Sequence, residues 1–284
     1  MTQIISASRR TDVPAFHSAW FTERLAAGFV RLPNPHNKTQ ISEISLRPVD
    51  VEAIVFWTKN PAPMFAHLDA VERACERFYF QFTLNDYPPE LEPGLPPLDE
   101  RCASFEKLSR GLGPGRVIWR YDPIIISNRT DFAYHLAKFR ALCERLAPHT
   151  HRVMISLVDY YKKTVRSLRP LREAGYEFEM DADRSQETRD LLRELARCAA
   201  KHQIEIQSCA EEQDFSDIGI PPGACIDGEL IERLFGPGKK WKRDPAQRKH
   251  CLCSTSRDIG SYDTCSHNCL YCYATDNPAS RGPR

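Results

Sequence analysis

The sequence predicts a parallel α/β fold, a partial (β/α)6 TIM-like barrel with a cysteine-rich tail folded over its mouth. Two observations carry this. Strand-like and helix-like segments alternate regularly from the first residues to about residue 210, and each strand ends in a polar cluster. Strands that alternate with helices pair in parallel through right-handed crossovers. A doubly wound sheet would satisfy the alternation equally well. The polar strand ends decide for a barrel, because functional groups gather at the C-terminal mouth of such folds.

Ile4–Ser8 opens the pattern as a strand, and an amphipathic helix follows near His17–Ala27. Val51–Trp57 is the second strand, with Pro63–Cys75 as its helix. The aromatic run Arg77–Thr83 is the third, and a proline-rich loop separates it from the helix Asp99–Leu112. Arg116–Tyr121 and the helix Phe132–Leu146 make the fourth unit, Arg152–Leu157 and Gln186–His202 the fifth, and Ile204–Ser208 the sixth strand. β-Branched and aromatic residues dominate these strands because they suit a pleated, half-buried surface. The Pro/Gly-rich stretch 219–223 marks the exit from the barrel, which divides the chain into a barrel over 1–210 and a tail over 211–284.

The strand ends are unusually polar. Ser6, Ser8, Arg9, Arg10 and Asp12 follow the first strand, Thr58, Lys59 and Asn60 the second, and Gln81, Thr83, Asn85 and Asp86 the third. Arg120, Tyr121 and Asp122 end the fourth, Ser156, Asp159, Tyr160 and Tyr161 the fifth, and Gln207 and Ser208 the sixth. Any one of these reads equally well as a turn cap, Asp12 and Asp122 fixing turns or Asn85 closing a bend. As an ensemble they read as a binding surface. Arg120 is the sharpest member, because a cation inside an apolar strand needs an anionic partner, either Asp122 or a ligand carboxylate. With Arg9 and Arg10 it equally suits an anionic substrate.

The 39 basic and 38 acidic residues leave a net charge of +1, which gives no global attraction to nucleic acid or membrane. Lys239-Lys-Trp-Lys-Arg243 is a local basic run, either a contact site or a solvated loop. No stretch approaches the length of a membrane span, and the opening residues lack a signal-peptide pattern. Eleven cysteines in such a chain point to a reducing cytoplasm and to metal or redox chemistry rather than disulfides.

Three of these cysteines form Cys265-Ser-His-Asn-Cys269-Leu-Tyr-Cys272, a C-x3-C-x2-C triplet with an aromatic residue before the third cysteine. Three thiolates this close suit three corners of a cuboidal iron–sulfur cluster and leave the fourth iron without a protein ligand. The triplet resembles that of the radical S-adenosylmethionine superfamily. That resemblance implies a [4Fe–4S] cluster on Cys265, Cys269 and Cys272 whose open iron chelates S-adenosylmethionine, with Tyr271 flanking the adenine. It also implies six βα units, cleavage of the cofactor to methionine and a 5′-deoxyadenosyl radical, and a small reductase or flavodoxin-type electron donor. In most members the triplet follows the first strand; here it occupies residues 265–272, so the cluster loop is expected to return from the C-terminal end and cap the barrel mouth.

Thr58-Lys-Asn-Pro-Ala-Pro and Trp119-Arg-Tyr-Asp-Pro-Ile-Ile resemble strand-end segments of the spore photoproduct lyase branch, and the chain as a whole is similar to DUF1848, a bacterial family of unknown function that ends in the same triplet. The glycine-rich segment that many relatives place after the second strand is replaced by Thr58–Asn60. On this resemblance the S-adenosylmethionine contacts fall to Tyr271, Ser8, Arg9, Arg10, Thr58, Lys59, Asn60, Thr83, Asn85, Arg120, Asp122, Ser156 and Gln207. The groups expected nearest the radical are Tyr121, Tyr160, Tyr161 and Lys59.

Cys209, Cys225, Cys251 and Cys253 form a second set between the barrel and the triplet. Four thiolates suit a closed auxiliary [4Fe–4S] cluster or a structural zinc. The C-x-C bite of Cys251 and Cys253 is tighter than the usual zinc pair and favours the cluster. Either would staple the tail to the sixth strand. Cys75, Cys102, Cys143 and Cys198 fall at apolar helix positions and read as small core residues. His250 and His267 flank ligand cysteines and read as loop residues, with ligation as the alternative. The competing reading of the whole chain is a zinc-stabilised protein that binds nucleic acid or a partner without radical chemistry. A metal-dependent hydrolase would need a histidine beside Asp12, Asp86, Asp122 or Asp159, and the sequence shows none.

Overall fold

The computed structural model describes residues 2–34 and 37–275. Ten strands occur among them: β1 (Gln3–Ala7), β2 (Phe29–Asn34), β3 (Asn37–Ser45), β4 (Val51–Thr58), β5 (Phe78–Thr83), β6 (Val117–Ile124), β7 (Arg152–Leu157), β8 (Glu205–Cys209), β9 (Pro222–Gly223) and β10 (Ser256–Asp258). Eight of them form one parallel sheet in the order β10-β1-β4-β5-β6-β7-β8-β9, a half-barrel with helices on its outer face. The six strands expected from the sequence are β1 and β4 to β8, displaced by a few residues at their ends.

Two short strands extend the sheet at its edges. Residues 219–223 do not simply leave the barrel, because Pro222–Gly223 pairs with β8. At the opposite edge Ser256–Asp258 pairs with β1 and brings the chain just before the triplet back onto the first strand. β2 and β3 form a separate antiparallel hairpin. The expected helix Pro63–Cys75 is a 3-10 segment, Ala62–His67, followed by a shorter α-helix, Leu68–Ala74. Met64 N donates to the Pro61 carbonyl at 2.9 Å, the i→i+3 bond of a 3-10 turn.

The strands alternate faces, and this decides which side chains reach the site. The outer face, with Ile5, Ile54, Phe56, Phe78, Phe80, Phe82, Trp119 and Ile155, packs against the helices. Each such side chain contributes about 1.5–3 kcal/mol by leaving water. The inner face carries Ile4, Ala53, Val55, Tyr79, Ile118 and Met154, packed on Cys225, Ile226, Leu230 and Ile231 from the later part of the chain. Tyr79 Oη and Gln81 Nε2 each donate to the Cys225 carbonyl at 2.7 Å, so this later segment floors the barrel. Tyr121 lies between Arg120 and Asp122, which face inward. It therefore points outward to the helices and packs on Phe139 and His135.

His135 is fully buried, with Nε2 at 2.9 Å from the Ile125 carbonyl and Nδ1 at 2.8 Å from Tyr121 Oη. Nε2 must carry the proton, and Nδ1 accepts from tyrosine. Burial pushes the imidazole down to about 4. The unfolded chain binds this proton near pH 6.5 and the native chain only near 4, so its contribution is full above pH 6.5 and is lost as pH falls through that window. Urea unfolding should show wild type losing up to about 1.36 kcal/mol per pH unit there from this group, a loss that is absent in His135→Gln.

Candidate active site

The strands end at a cavity of about 420 Å³, within the range of about 300–1,000 Å³ usual for small-molecule sites. All seven cysteines of the two tail sets line it, and none is in a disulfide. Ser8, Arg9, Arg10, Thr58, Lys59, Thr83, Arg120, Asp122, Ser156, Tyr161 and Tyr271 line it too.

The other expected residues lie elsewhere. Tyr121 faces the helices, and Tyr160 does not line the cavity but packs behind the triplet loop, against the cluster that holds Leu168, Leu171, Cys269 and Tyr271. Asn85 exchanges two 3.1 Å hydrogen bonds with the Asp122 backbone and so braces the end of β6. Asn60 Oδ1 accepts from Ala62 N at 3.2 Å and shapes the turn after β4. Gln207 is on the inner face but lies against Gly223 and donates to Glu205 at 2.6 Å.

The triplet loop is clasped by the barrel at several points. Gly94 N donates to the His267 carbonyl and Leu270 N to the Leu91 carbonyl, each at 3.0 Å. His267 is buried, with Nε2 at 2.8 Å from Asp12 Oδ2. Asp12 thus has the histidine partner the sequence did not reveal. Its oxygens also accept from Ala15 N at 2.9 Å and Lys59 N at 2.7 Å, so the pair anchors the loop. Tyr271 Oη donates to Glu92, and Lys59 Nζ lies 2.8 Å from both Glu92 Oε1 and Tyr271 Oη. Burial pushes the Cys269 thiol well up, with Lys59 opposing it; burial pushes Cys265 up to about 12. Lys59 is thus a buried cation favouring the thiolate form of Cys269, the form a metal takes.

The second set is crowded. Cys209 Sγ and Cys225 Sγ are 3.1 Å apart, and Cys251 and Cys253 are buried in the same apolar cluster as Cys225. Arg120 Nη1 donates to Cys225 Sγ at 2.6 Å while Nη2 pairs with Asp122, which also accepts from Ser156. Arg9 meets Cys253. The two guanidinium carbons lie 5.3 Å (Arg9) and 4.9 Å (Arg120) from the Trp57 ring centroid. Arg9 Nη2 and Trp57 Nε1 are buried donors with no hydrogen-bond partner. Burial pushes Asp122 up, but Arg120 and Ser156 hold it below the usual carboxylate range. Contact with Cys225 brings Cys209 down to about 7, against burial and with help from Arg120. Among the described residues no three His, Cys, Asp or Glu side chains form a ready-made cage for one metal ion.

Several contributors had no signal in the sequence. Asp258 on β10 accepts from Ser6 Oγ, Ser8 Oγ, Arg9 N and Gly260 N at 2.8–2.9 Å and orders the end of β1. Glu92 comes from the proline-rich loop after β5. Glu211 accepts from Leu157 N at 3.0 Å, and burial raises it to about 8.

Fold and site together define a parallel α/β half-barrel whose mouth is lined by seven free cysteines and by buried cation–carboxylate pairs. The chain belongs to the DUF1848 family, whose model, described as a domain of unknown function, matches residues 4–274. No curated protein and no solved structure matches it. Among the described residues no helix is long and apolar enough to cross a membrane.

Proposed function

We propose that this protein is a cytoplasmic radical S-adenosylmethionine enzyme in which Cys265, Cys269 and Cys272 hold a [4Fe–4S] cluster. The observation that carries the reading is that a C-x3-C-x2-C triplet shares one cavity with the polar ends of β1, β4, β5, β6 and β7. The donor set fits the group: three free thiols, with a buried lysine beside the middle one. On this reading the six long strands are a (β/α)6 barrel and the tail is its lid.

When bound, the cluster supplies one electron to S-adenosylmethionine, and cleavage of the cofactor gives a 5′-deoxyadenosyl radical able to take hydrogen from a substrate. The chain's own work is binding, orientation and exclusion of water. Lys59 offsets thiolate charge at Cys269. The Lys59–Glu92–Tyr271 and Asp12–His267 contacts fix the loop, so Tyr271 presents its ring from an anchored hydroxyl. Arg9 and Arg10 suit a carboxylate, and Ser8, Thr58, Thr83 and Ser156 suit hydroxyl and amino groups. Of the residues expected near the radical, Tyr161 and Lys59 remain candidates. Tyr121 and Tyr160 do not, because their side chains lie outside the cavity. A small reductase or flavodoxin-type protein is the expected electron source.

Anaerobic reconstitution with iron and sulfide tests this. Wild type should bind four irons per chain at the triplet, with a brown visible spectrum, and Cys269→Ala should lose them. A colourless wild-type protein that takes up only zinc would leave the binding-protein reading in front.

A further inference from the structure

We infer that Cys209, Cys225, Cys251 and Cys253 bind a single zinc ion in a closed, structural centre separate from the triplet. This holds whether or not the triplet carries a cluster. Cys209 Sγ and Cys225 Sγ lie 3.1 Å apart, and all four thiols belong to one apolar cluster under the cavity, Cys225, Cys251 and Cys253 buried in it and Cys209 packed against it. Tetrahedral zinc, with Zn–S near 2.3 Å, spaces its sulfurs about 3.8 Å apart. A cuboidal cluster puts each thiolate on a different iron and separates the sulfurs by its own width. The 3.1 Å separation of Cys209 and Cys225 is therefore on the scale of one ion and too short for two corners of a cuboidal cluster. The short Cys251–Cys253 bite, which in the sequence favoured an iron–sulfur cluster, is no obstacle, since both side chains are buried in the same apolar cluster.

Charge points the same way. A zinc tetrathiolate carries a net charge of −2, and two buried guanidiniums are already on its sulfurs, Arg120 on Cys225 at 2.6 Å and Arg9 on Cys253. Arg9 Nη2 and Trp57 Nε1 are spare donors in the same cavity wall. Such donors orient thiolate ligands and raise metal affinity.

The location explains why a structural ion is needed. Ligands come from the end of β8, the turn after β9 and the loop at 251–253, and Cys225, Cys251 and Cys253 pack into the barrel floor with Ile226, Leu230 and Ile231. Between Ala224 and Thr255 the only helix is Gly228–Phe235. A floor with so little regular structure gains its rigidity from a metal that ties its strands of chain together. On binding, the thiols release their protons to solvent and the four sulfurs close into a tetrahedron.

Metal analysis of the purified chain, with cobalt substitution, tests this. Wild type should carry one zinc per chain, and its cobalt form should show the visible bands of a tetrahedral tetrathiolate. The triple variant Cys265→Ala/Cys269→Ala/Cys272→Ala should keep that zinc, and Cys253→Ala should lose it. Because Cys253→Ala can fail to fold, Arg9→Met, which keeps all four thiols, provides the second reading: zinc affinity about tenfold weaker in chelator competition. Absence of zinc from wild type, or four further irons per chain that vanish with Cys253→Ala, would overturn the assignment.

Discussion

Gly94→Ala is expected to unseat the triplet loop. A Cβ at this position would lie 2.5 Å from the His267 carbonyl oxygen, 2.7 Å from that of Ser266 and 2.8 Å from the His267 carbonyl carbon. All three are backbone atoms, so no side-chain rotation relieves the clash. The loop must move away, which breaks the 3.0 Å bond from Gly94 N and pulls on the neighbouring Leu270–Leu91 bond. Overpacking of this kind costs about 1–3 kcal/mol. The strain falls on the loop rather than on the outer core, where Phe56 and Phe80 stack at 4.7 Å. The variant should fold as a half-barrel by circular dichroism, melt several degrees lower and retain little of the triplet's iron after reconstitution. Wild-type iron content in Gly94→Ala would show that the cysteines do not depend on this clasp.

Arg120→Met should have the largest effect on stability. Arg120 joins Asp122, Cys225 and the Trp57 face, and both members of its ion pair are mostly shielded from water, with side-chain exposures of 5% and 17%. Methionine would leave Asp122 buried with only Ser156 and the distant Lys59 to support its charge. Removing one partner of a buried pair costs about 3–5 kcal/mol. Arg120→Lys keeps a charge without the two-pronged geometry and should fall between. The pH dependence carries a second signature. Asp122 is held below its unfolded value, so its stabilising contribution is present above about pH 3.9 and is lost as pH falls further. In Arg120→Met that acid-side loss disappears. Urea unfolding across this range measures both effects, and a destabilisation below about 1 kcal/mol at neutral pH would contradict the role given to the pair.

The barrel strands were legible because β4, β5, β6 and β7 are runs of aromatic and β-branched residues separated by helical patterns. β9 and β10, of two and three residues, are too short to show a period, and β2 of the hairpin carries Pro33, a residue that argues against a strand. The thiols were legible because spacing alone marks them. The partners of the triplet were not. Glu92, Asp258 and the Asp12–His267 pair depend on side chains brought together from positions far apart in the chain, and no local spacing encodes such contacts. Tyr121 shows a different failure. Its neighbours Arg120 and Asp122 suited the cavity, and the alternation of faces along a strand excludes the residue between them. Applied to the sequence, that rule would have placed Tyr121 on the helix side at once.

On the proposed reading the triplet activates S-adenosylmethionine. The most direct measurement reconstitutes the wild-type chain and Cys272→Ala anaerobically, adds dithionite and S-adenosylmethionine, and quantifies 5′-deoxyadenosine by chromatography and mass. Wild type should release 5′-deoxyadenosine together with methionine, and Cys272→Ala should release none above the protein-free control. A wild-type protein that binds four irons at the triplet and still forms no 5′-deoxyadenosine would contradict the account.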